Sequence, residues 1–324
     1  MKNYKFWIGV LISGIFVYLA FKGVELKKFL KTLSGINYLY LPLLFLLPLV
    51  AFYVRALRWR YLLGKEIKIK TRNLFSYLMI GFMANHVLPA RIGEFVRAYI
   101  IGKKENVRAS FAFSTIVVER IFDGMVILLL FLPTIFFYPF PEWIKKTGLL
   151  VGLFYPLVLV VLIILKVHKE WILKLVKIVL KPISPALLLK VKGILTSFIQ
   201  GLGVLHKFDH LPVIIFYSFV VWTVTSLRHY IGFLCFDISL PFSACFFVFG
   251  MVFIGMMIPA SPGSIGTYHY FCLQAFLLLG VEDKNLALSY AFFMHITNYL
   301  CVTSVGLLCL IKENISFREL RKTS

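Results

Sequence analysis

The chain has 324 residues, of which 60% are hydrophobic and 15% charged, and its mean hydropathy is +0.88. Soluble globular domains carry about 25% charged residues, and disordered or collagen-like chains are rich in polar residues or in Gly and Pro, so these classes are excluded. Lys and Arg number 35 against 14 Asp and Glu, a formal net charge of +21. In a membrane protein such an excess reports topology and contact with anionic lipid, so we expect membrane lipids as partners and no nucleic acid.

The five cysteines lie in apolar stretches and show neither CxxC nor CxxxH spacing. Zinc sites and disulfide frameworks need such spacing, so we predict no metal, no disulfide framework and no cofactor. The first apolar stretch, after Lys2 and Lys5, has the charge pattern of a signal peptide but no small-x-small motif before Lys22. We therefore expect an uncleaved first span.

Six uninterrupted apolar segments have about the ~20 residues that a helix needs to cross the ~30 Å hydrocarbon core of a bilayer. They cover residues 4–21, 39–57, 109–138, 148–165, 211–235 and 286–311. Segments 73–100 and 241–280 are also apolar but are interrupted by Asn, Pro and Gly, so each is expected to form a re-entrant hairpin or two short helices. The sequence thus predicts an all-α integral membrane protein, with about six full transmembrane helices and two broken segments in one domain, 1–324.

The two halves of the chain, 4–138 and 148–311, repeat the same order of elements: span, span, broken segment, span. Four elements contain three crossings, so the second half starts on the opposite side of the membrane from the first. This is the layout of an inverted-topology repeat, which is typical of transporters. Coincidence among hydrophobic helices is the alternative, because the halves share no obvious sequence identity.

The loops give an orientation. Lys and Arg number 23 in the segments on the N-terminal side of the membrane and 7 on the other side. The positive-inside rule then predicts a multi-pass protein of the cell (inner) membrane with both termini in the cytoplasm. Residues 167–207 are too polar to cross, and apolar residues recur there at helical spacing opposite lysines. This pattern favours an amphipathic helix on the inner leaflet or a plain cytoplasmic connector whose lysines snorkel.

Charged residues at bilayer depth are costly and are functional candidates by default. In the first broken segment, Arg91, Glu94 and Arg97 recur at every third residue. Along a helix this spacing makes neighbours of opposite charges, so we expect a chain of ion pairs. Pro89 suits the first turn of that helix and ends whatever helix precedes it.

A second charged group consists of Glu119, Arg120 and Asp123. At ~1.5 Å per residue, Glu119 lies about 15 Å along its helix, close to the depth at which the first group is expected. We therefore predict that Arg91 or Arg97 pairs with Glu119 or Asp123. Two interpretations stay open: a network that only holds helices together, or a site whose surplus arginine charge binds an anionic headgroup.

The segment 259–269 concentrates Pro, Gly and hydroxyl residues with one histidine, His269. Irregular backbone at this depth survives only where protein or water satisfies its polar groups. Free N–H groups after Gly266 could hold a phosphate or a carboxylate, and His269 could titrate or donate to it. A structural histidine and a plain loop between two helices are the alternatives.

In RALRWRYLL, residues 55–63, the arginines Arg55, Arg58 and Arg60 stand beside Trp59 at the inner end of a span. These arginines are ordinarily interpreted as an anchor in the inner leaflet. The more specific alternative is that they capture a lipid phosphate. Arg228, in a later span, has no obvious partner in the sequence.

Together, RALRWRYLL, N-x-x-L-P-x-R-x-G-E-x-x-R, the following E-R-x-x-D and the late P-x-x-P-G-x-x-G resemble the flippase-like membrane domain of lysylphosphatidylglycerol synthases. The resemblance covers nearly the whole chain. In the family's commoner form the last motif reads P-G-G-x-G followed by Glu, whereas here Ser264 replaces the second Gly and His269 replaces the Glu.

The resemblance implies lipid translocation, with Asn85, Arg91, Glu94, Arg97, Glu119, Arg120 and Asp123 at the matching polar positions. Because the sequence ends at Ser324, shortly after the last span, we expect no synthase domain and no aminoacyl transfer. The candidate substrate-binding residues are Arg55, Arg58, Asn85, Arg91, Glu94, Arg97, Glu119, Arg120, Asp123, Pro259, Pro262, Gly263, Gly266 and His269.

The function expected first is a flippase-like transporter, not an enzyme, for an anionic or aminoacylated phospholipid or a polyprenyl-phosphate-linked lipid. No nucleotide-binding P-loop is present in the sequence, so an ion gradient, the membrane potential or downhill lipid flow would drive it. The alternatives are a membrane-embedded enzyme acting on a lipid phosphate and a non-catalytic accessory protein of envelope lipid or glycan assembly. The sequence contains no GxSxG or HExxH motif to favour the enzyme.

Overall fold

The computed structural model describes residues 4–64, 67–88, 92–136, 142–180, 184–203, 210–258, 261–316 and Glu319. Within these ranges the chain is helical and contains no strand. The helices are α1 (Tyr4–Phe21), α2 (Leu26–Ser34), α3 (Leu41–Leu63), α4 (Thr71–Val87), α5 (Gly93–Glu105), α6 (Ala109–Phe131), α7 (Glu142–Val167), α8 (Lys169–Leu180), α9 (Pro185–Gly201), α10 (Leu211–Cys235), α11 (Ser243–Met257), α12 (Thr267–Leu278) and α13 (Lys284–Lys312).

Four helical segments in the described part of the chain are long and apolar enough to cross a membrane: Tyr38–Leu63, Gly148–Val167, Leu211–Cys235 and Lys284–Lys312. Helices α1 and α2 are long and apolar enough to cross a membrane only when they are counted together, as a pair bent by 84°. Helix α6 has 23 residues but carries three charged residues near its centre. The all-α, multi-pass architecture is therefore confirmed, with four apolar spans and one bent pair.

Both broken segments are pairs of helices. In the first pair, α4 and α5 run antiparallel, since Tyr77 donates to Glu105 at the open end (2.6 Å) and the Gly93 N–H donates to Asn85 Oδ1 at the tip (2.7 Å). A Cβ on Gly81 would collide with the Gly93 carbonyl, so glycine is needed for this close approach. In the second pair, α11 packs along α12 in the same manner, and Gly255 lies against Phe271.

The tips of the two hairpins meet beside the middle of α13, a 29-residue helix about 43 Å long. Helix α4 runs antiparallel to the C-terminal half of α13: Lys312 donates to Ser76 (3.0 Å), and His86 at its end stacks on Tyr299. The 262–264 turn, at the tip of the second hairpin, contacts α4. Helix α12 then runs from this tip toward the N-terminal end of α13, where Phe276 packs on Tyr290. The two hairpins therefore approach from opposite ends of α13.

The remaining helices surround these hairpins. Helices α3 and α10 pack along each other, α2 packs against α13, and α9 packs against α6. The predicted connector, 167–207, contains two helices, α8 and α9. Helix α8 has no buried residue, whereas α9 is held to α6 by an Arg108–Ser197 hydrogen bond of 3.0 Å. Helix α2 lies between the first two predicted spans, 4–21 and 39–57, in a segment for which the sequence predicts a loop.

Candidate functional site

The predicted charged residues of three helices meet in one buried cluster, completed by α10. From α3, Arg58 Nη1 lies 2.6 Å from Asp123 Oδ1 of α6. The same Arg58 nitrogen donates to Ser218 Oγ of α10 at 2.8 Å. The indole N–H of Trp222, one turn further along α10, donates to Asp123 Oδ1 at 2.8 Å. The carboxylate of Asp123 therefore ties α3, α6 and α10 together.

Glu119, which is fully buried, is the second carboxylate of the cluster. Arg97 of α5 binds both of its oxygens, at 3.1 and 3.0 Å, a bidentate geometry that is among the strongest protein ion pairs. Arg58 lies 3.6 Å from the same carboxylate. Arg120 contacts Glu119 and also lies 3.0 Å from Asp123 Oδ2. The predicted pairing of Arg97 with Glu119 is confirmed.

Aromatic rings cover the cluster. The Arg97 guanidinium lies 4.2 Å from the centre of the Trp59 ring, and the Trp59 indole donates to Thr115 at 3.0 Å. Arg55 lies 4.4 Å from the ring centre of Trp222 and also faces Phe52 and Phe82. Among the described residues Arg55 has no ion pair, so these rings are its main contacts. Cation–π contacts of this kind stabilise a desolvated guanidinium by about 2 kcal/mol.

Positive charge exceeds negative charge in this cluster. Four arginines (Arg55, Arg58, Arg97 and Arg120) face two carboxylates (Glu119 and Asp123). Three of the arginines are almost completely buried, whereas the side chain of Arg120 is 33% exposed. Among the described residues the cluster therefore carries surplus positive charge, and Arg120 is its partly exposed arginine.

The expected chain of ion pairs along 85–97 is not formed by its described members. Glu94 accepts from the Asn85 amide at 3.3 and 3.4 Å, while Arg97 turns to Glu119. The reason is that the hairpin places Asn85 beside the first turn of α5, where its amide reaches Glu94 and its Oδ1 accepts from the Gly93 N–H. Pro89 and Arg91 lie outside the described residues.

The second predicted element, at the tip of the second hairpin, is separate from the charged cluster. Pro262 and Gly263 form a 3₁₀ turn, and Gly266 precedes α12 with a positive φ of 92°. A Cβ on Gly266 would press against the backbone of α1, so this close approach requires glycine. Pro259 lies outside the described residues.

His269 lies in the first turn of α12, where the N–H groups after Gly266 are predicted to hold an anion. Its Nδ1 accepts from the N–H of Gly266 itself at 3.3 Å, so the donor that precedes the predicted N–H groups is used within the protein. The ring lies edge-on to His295, 4.8 Å away, and His295 Nε2 lies 2.8 Å from the Gly263 carbonyl. The histidines thus hold the tip of the second hairpin against α13.

The anchor interpretation of RALRWRYLL is wrong for three of its residues. Arg55, Arg58 and Trp59 are buried among helices, because α3 continues to Leu63 and this turn faces α5, α6 and α10 rather than the lipid. Only Arg60 is exposed, as an anchor would be.

Arg228, unassigned from the sequence, is buried between α10, α3 and α13. It donates to the Met294 carbonyl and to Thr297 Oγ1, both at 2.7 Å, and to the Leu44 carbonyl at 3.3 Å. All three acceptors are neutral.

The family model of the lysylphosphatidylglycerol synthase TM region matches residues 6–306. The chain belongs to this family. A UPF0104 membrane protein of Methanocaldococcus jannaschii is 32% identical over 133 residues, which are 40% of this chain and 39% of that relative. A UPF0104 membrane protein of Methanothermobacter thermautotrophicus is 26% identical over 78% of this chain and 77% of its own length. Another, from Pyrococcus horikoshii, is 22% identical over 97% and 98%. No solved structure gives a significant match.

Several residues of the site in this family member were not predicted from its sequence. Ser218 and Trp222 stand one turn apart in α10, and polar side chains at that spacing in an apolar span are the signal that would have found them. His295, an ionisable residue inside the apolar α13, carried the same signal. In the part of the chain that the structure describes, no group of three His, Cys, Asp or Glu could hold a metal, and the five cysteines are free.

Proposed function

We propose that this member of the lysylphosphatidylglycerol synthase TM family is a flippase-like transporter, not an enzyme. Its substrate would be a lipid with an anionic headgroup: an anionic or aminoacylated phospholipid, or a lipid linked to polyprenyl phosphate. The observation that carries this proposal is the buried cluster in which four arginines face two carboxylates. The partial exposure of Arg120 supports access to that cluster.

The electrostatics favour an anionic ligand over a purely structural role. A buried arginine that lacks a counter-ion is expensive, and helices can be held together by neutral residues at lower cost. Even when Glu94 is added, the arginines outnumber the carboxylates by four to three. A phosphate group beside Arg120 would neutralise the surplus and accept charge-assisted hydrogen bonds, while the acyl or prenyl tails stay in the bilayer.

The architecture supports an inverted repeat. We pair α1 with α7, α3 with α10, the first hairpin with the second and α6 with α13. Short helices occupy similar places in the two halves: α2 follows α1 and packs on α13, whereas α8 and α9 follow α7, and α9 packs on α6. Six full spans (α1, α3, α6, α7, α10 and α13) then cross the bilayer, and the hairpins enter from opposite sides.

Transport would follow from this arrangement. The halves would rock about the meeting point of the hairpins, as is general for inverted repeats, and expose the cluster to one leaflet and then the other. The lysine and arginine bias supports an inner-membrane location with cytoplasmic termini.

The test is translocation of fluorescent phosphatidylglycerol and of a fluorescent polyprenyl phosphate in proteoliposomes, read with a membrane-impermeant quencher. The full chain, Arg120→Gln and Lys174→Gln are compared; Lys174 is an exposed lysine of α8 and serves as the charge-matched control. We expect the wild type and Lys174→Gln to move one of the lipids. We expect Arg120→Gln to fold and to move that lipid at least about tenfold more slowly. Loss of one charged contact of 1.5–3 kcal/mol gives a factor of that size.

Two results would overturn the proposal. One is a wild-type rate no higher than that of protein-free vesicles, both with and without an imposed proton gradient. The other is a folded Arg120→Gln variant with the wild-type rate. Chemical conversion of the lipid in the same vesicles, seen by thin-layer chromatography, would favour the membrane enzyme instead.

A further inference from the structure

A cavity of about 760 Å³ opens where α3 ends, α4 begins and α10 begins. Its volume lies within the range of ligand sites, roughly 300–1,000 Å³. None of the residues in the charged cluster lines it, so it is a distinct site. Its chemistry is described by six of its lining residues: Arg60, Tyr61, Lys68, Lys70, His210 and Tyr217.

The charge of this cavity has one sign. Three cations line it, from Arg60, Lys68 and Lys70, and no acidic residue does among the described lining residues. The neighbouring segments 65–66 and 204–209, which the structure does not describe, each contain one lysine and one acidic residue in the sequence, so they add no net charge. Among the described residues the three cations face no acidic residue in the cavity, and such a basic cavity recruits anions.

The uncharged lining groups fit a phosphate ester better than a bare anion. The ring of Tyr61 lies 5.8 Å from both His210 and Tyr217, so three aromatic rings form one wall. His210 is buried, and its Nδ1 has no hydrogen-bond partner. An aromatic wall beside cations accommodates the carbon part of a headgroup while the phosphate meets the basic side chains.

The cavity lies next to the cluster along two helices. Leu57 lines the cavity, and the next residue of α3, Arg58, binds Asp123. Tyr217 lines it, and the next residue of α10, Ser218, binds Arg58. The lining of the cavity is therefore one residue away from buried Arg58 on α3 and one residue away from Ser218, a partner of Arg58, on α10.

We propose that this cavity is a phosphate-ester binding site that loads the headgroup before it reaches the buried arginines. The inference deepens the proposed function and rests on it for the loading role. The ligand is defined by its phosphate ester, which either a lipid headgroup or a soluble compound could supply.

The test measures equilibrium binding of two radiolabelled probes, glycerol 3-phosphate and a short-chain phosphatidylglycerol, to the full chain in neutral detergent. The test variant is Arg60→Gln/Lys68→Gln/Lys70→Gln. The matched control is Lys174→Gln/Lys177→Gln/Lys190→Gln, which removes the same charge from exposed positions of α8 and α9. All substituted side chains are exposed, so both triple variants should fold.

We expect at least one probe to bind the wild type and the control with equal affinity. The test variant should bind that probe at least about tenfold more weakly. Binding of glycerol 3-phosphate would identify a site that also takes soluble esters, whereas binding of phosphatidylglycerol alone would identify a lipid site. Absence of wild-type binding for both probes, or an equal loss in the two triple variants, would overturn the inference.

Translocation by the same proteins separates this inference from the proposed function. A wild type that binds phosphate esters in the cavity but moves no lipid contradicts transport and leaves the binding site intact. A wild type that moves lipid, together with a test variant that moves it equally fast, contradicts the loading role and leaves transport intact.

Discussion

Two buried arginines on the neighbouring helices α3 and α10 are held in different ways. Arg58 binds the carboxylate of Asp123 at 2.6 Å. Arg228 donates to the Met294 carbonyl, to Thr297 Oγ1 and to a backbone carbonyl of α3, all of them neutral. An anion can displace a carboxylate from a guanidinium, because both offer the same kind of acceptor. Backbone carbonyls are fixed in place and offer no such exchange.

Burial of an arginine therefore does not by itself indicate a ligand site. What distinguishes the first half of the chain is that its buried arginines share two carboxylates and that one arginine of the cluster, Arg120, is partly exposed. Arg228 instead ties α10 to α3 and α13, and we assign it a structural role.

The largest effect is expected for Glu119→Gln. The substitution preserves shape but removes the negative charge that Arg97, Arg58 and Arg120 share. Breaking a buried ion pair in this way costs about 3–5 kcal/mol, so we expect a large fall in the thermal unfolding temperature in detergent or loss of folded protein.

The control for this prediction is Glu25→Gln, which removes an exposed ion pair with Lys28. Such pairs contribute about 0.2–1 kcal/mol, so its unfolding temperature should stay close to wild type. Equal effects of the two substitutions would contradict the view that the cluster is an electrostatic unit.

A smaller effect is expected for Arg228→Met. The variant loses the hydrogen bonds that Arg228 donates to neutral oxygens. One of these oxygens, Thr297 Oγ1, still donates its own hydrogen bond to the Phe293 carbonyl. We expect about 1–3 kcal/mol of destabilisation and a translocation rate per folded protein within about twofold of wild type. A folded variant without translocation would contradict the structural role of Arg228, because it would place this residue in the transport machinery.

The smallest effect is expected for His269→Phe. Phenylalanine keeps the ring contact with His295 but loses the bond from the Gly266 N–H. The buried Gly266 N–H is left without its acceptor, which costs about 1–3 kcal/mol, whereas the buried, unpartnered Nε2 disappears with the imidazole, so we expect a loss at the lower end of that range in thermal unfolding. A loss larger than that of Arg228→Met would show that this tip carries more of the fold than its contacts indicate.

The sequence predicted much of this arrangement. The Pro, Gly and Asn residues in segments 73–100 and 241–280 predicted a re-entrant hairpin or two short helices in each segment, and the structure has a pair of helices in each. The depth of Glu119 along its helix predicted that Arg91 or Arg97 pairs with Glu119 or Asp123, and the Arg97–Glu119 pair is the one found among the described residues.

Other contacts could not be read from the sequence. The partner of Arg58 on α10, Ser218, is 160 positions away, and periodicity says nothing about which spans become neighbours. Arg55 is held by rings from α3, α4 and α10, a contact that depends on packing alone. Helix α2 was not predicted because five of its nine residues have polar side chains, a composition typical of a loop.

The position of the charges in α6 also bears on how the protein is made. A charged residue at the centre of a helix adds about 2.5–3.5 kcal/mol to the cost of insertion by the translocon, and α6 carries three of them. Arg58 and Arg97 precede α6 in the chain, so the ribosome delivers both partners before the carboxylates emerge. Helices α3 and α5 are therefore synthesised before α6, so Arg58 and Arg97 are present to pair with Asp123 and Glu119 when α6 inserts.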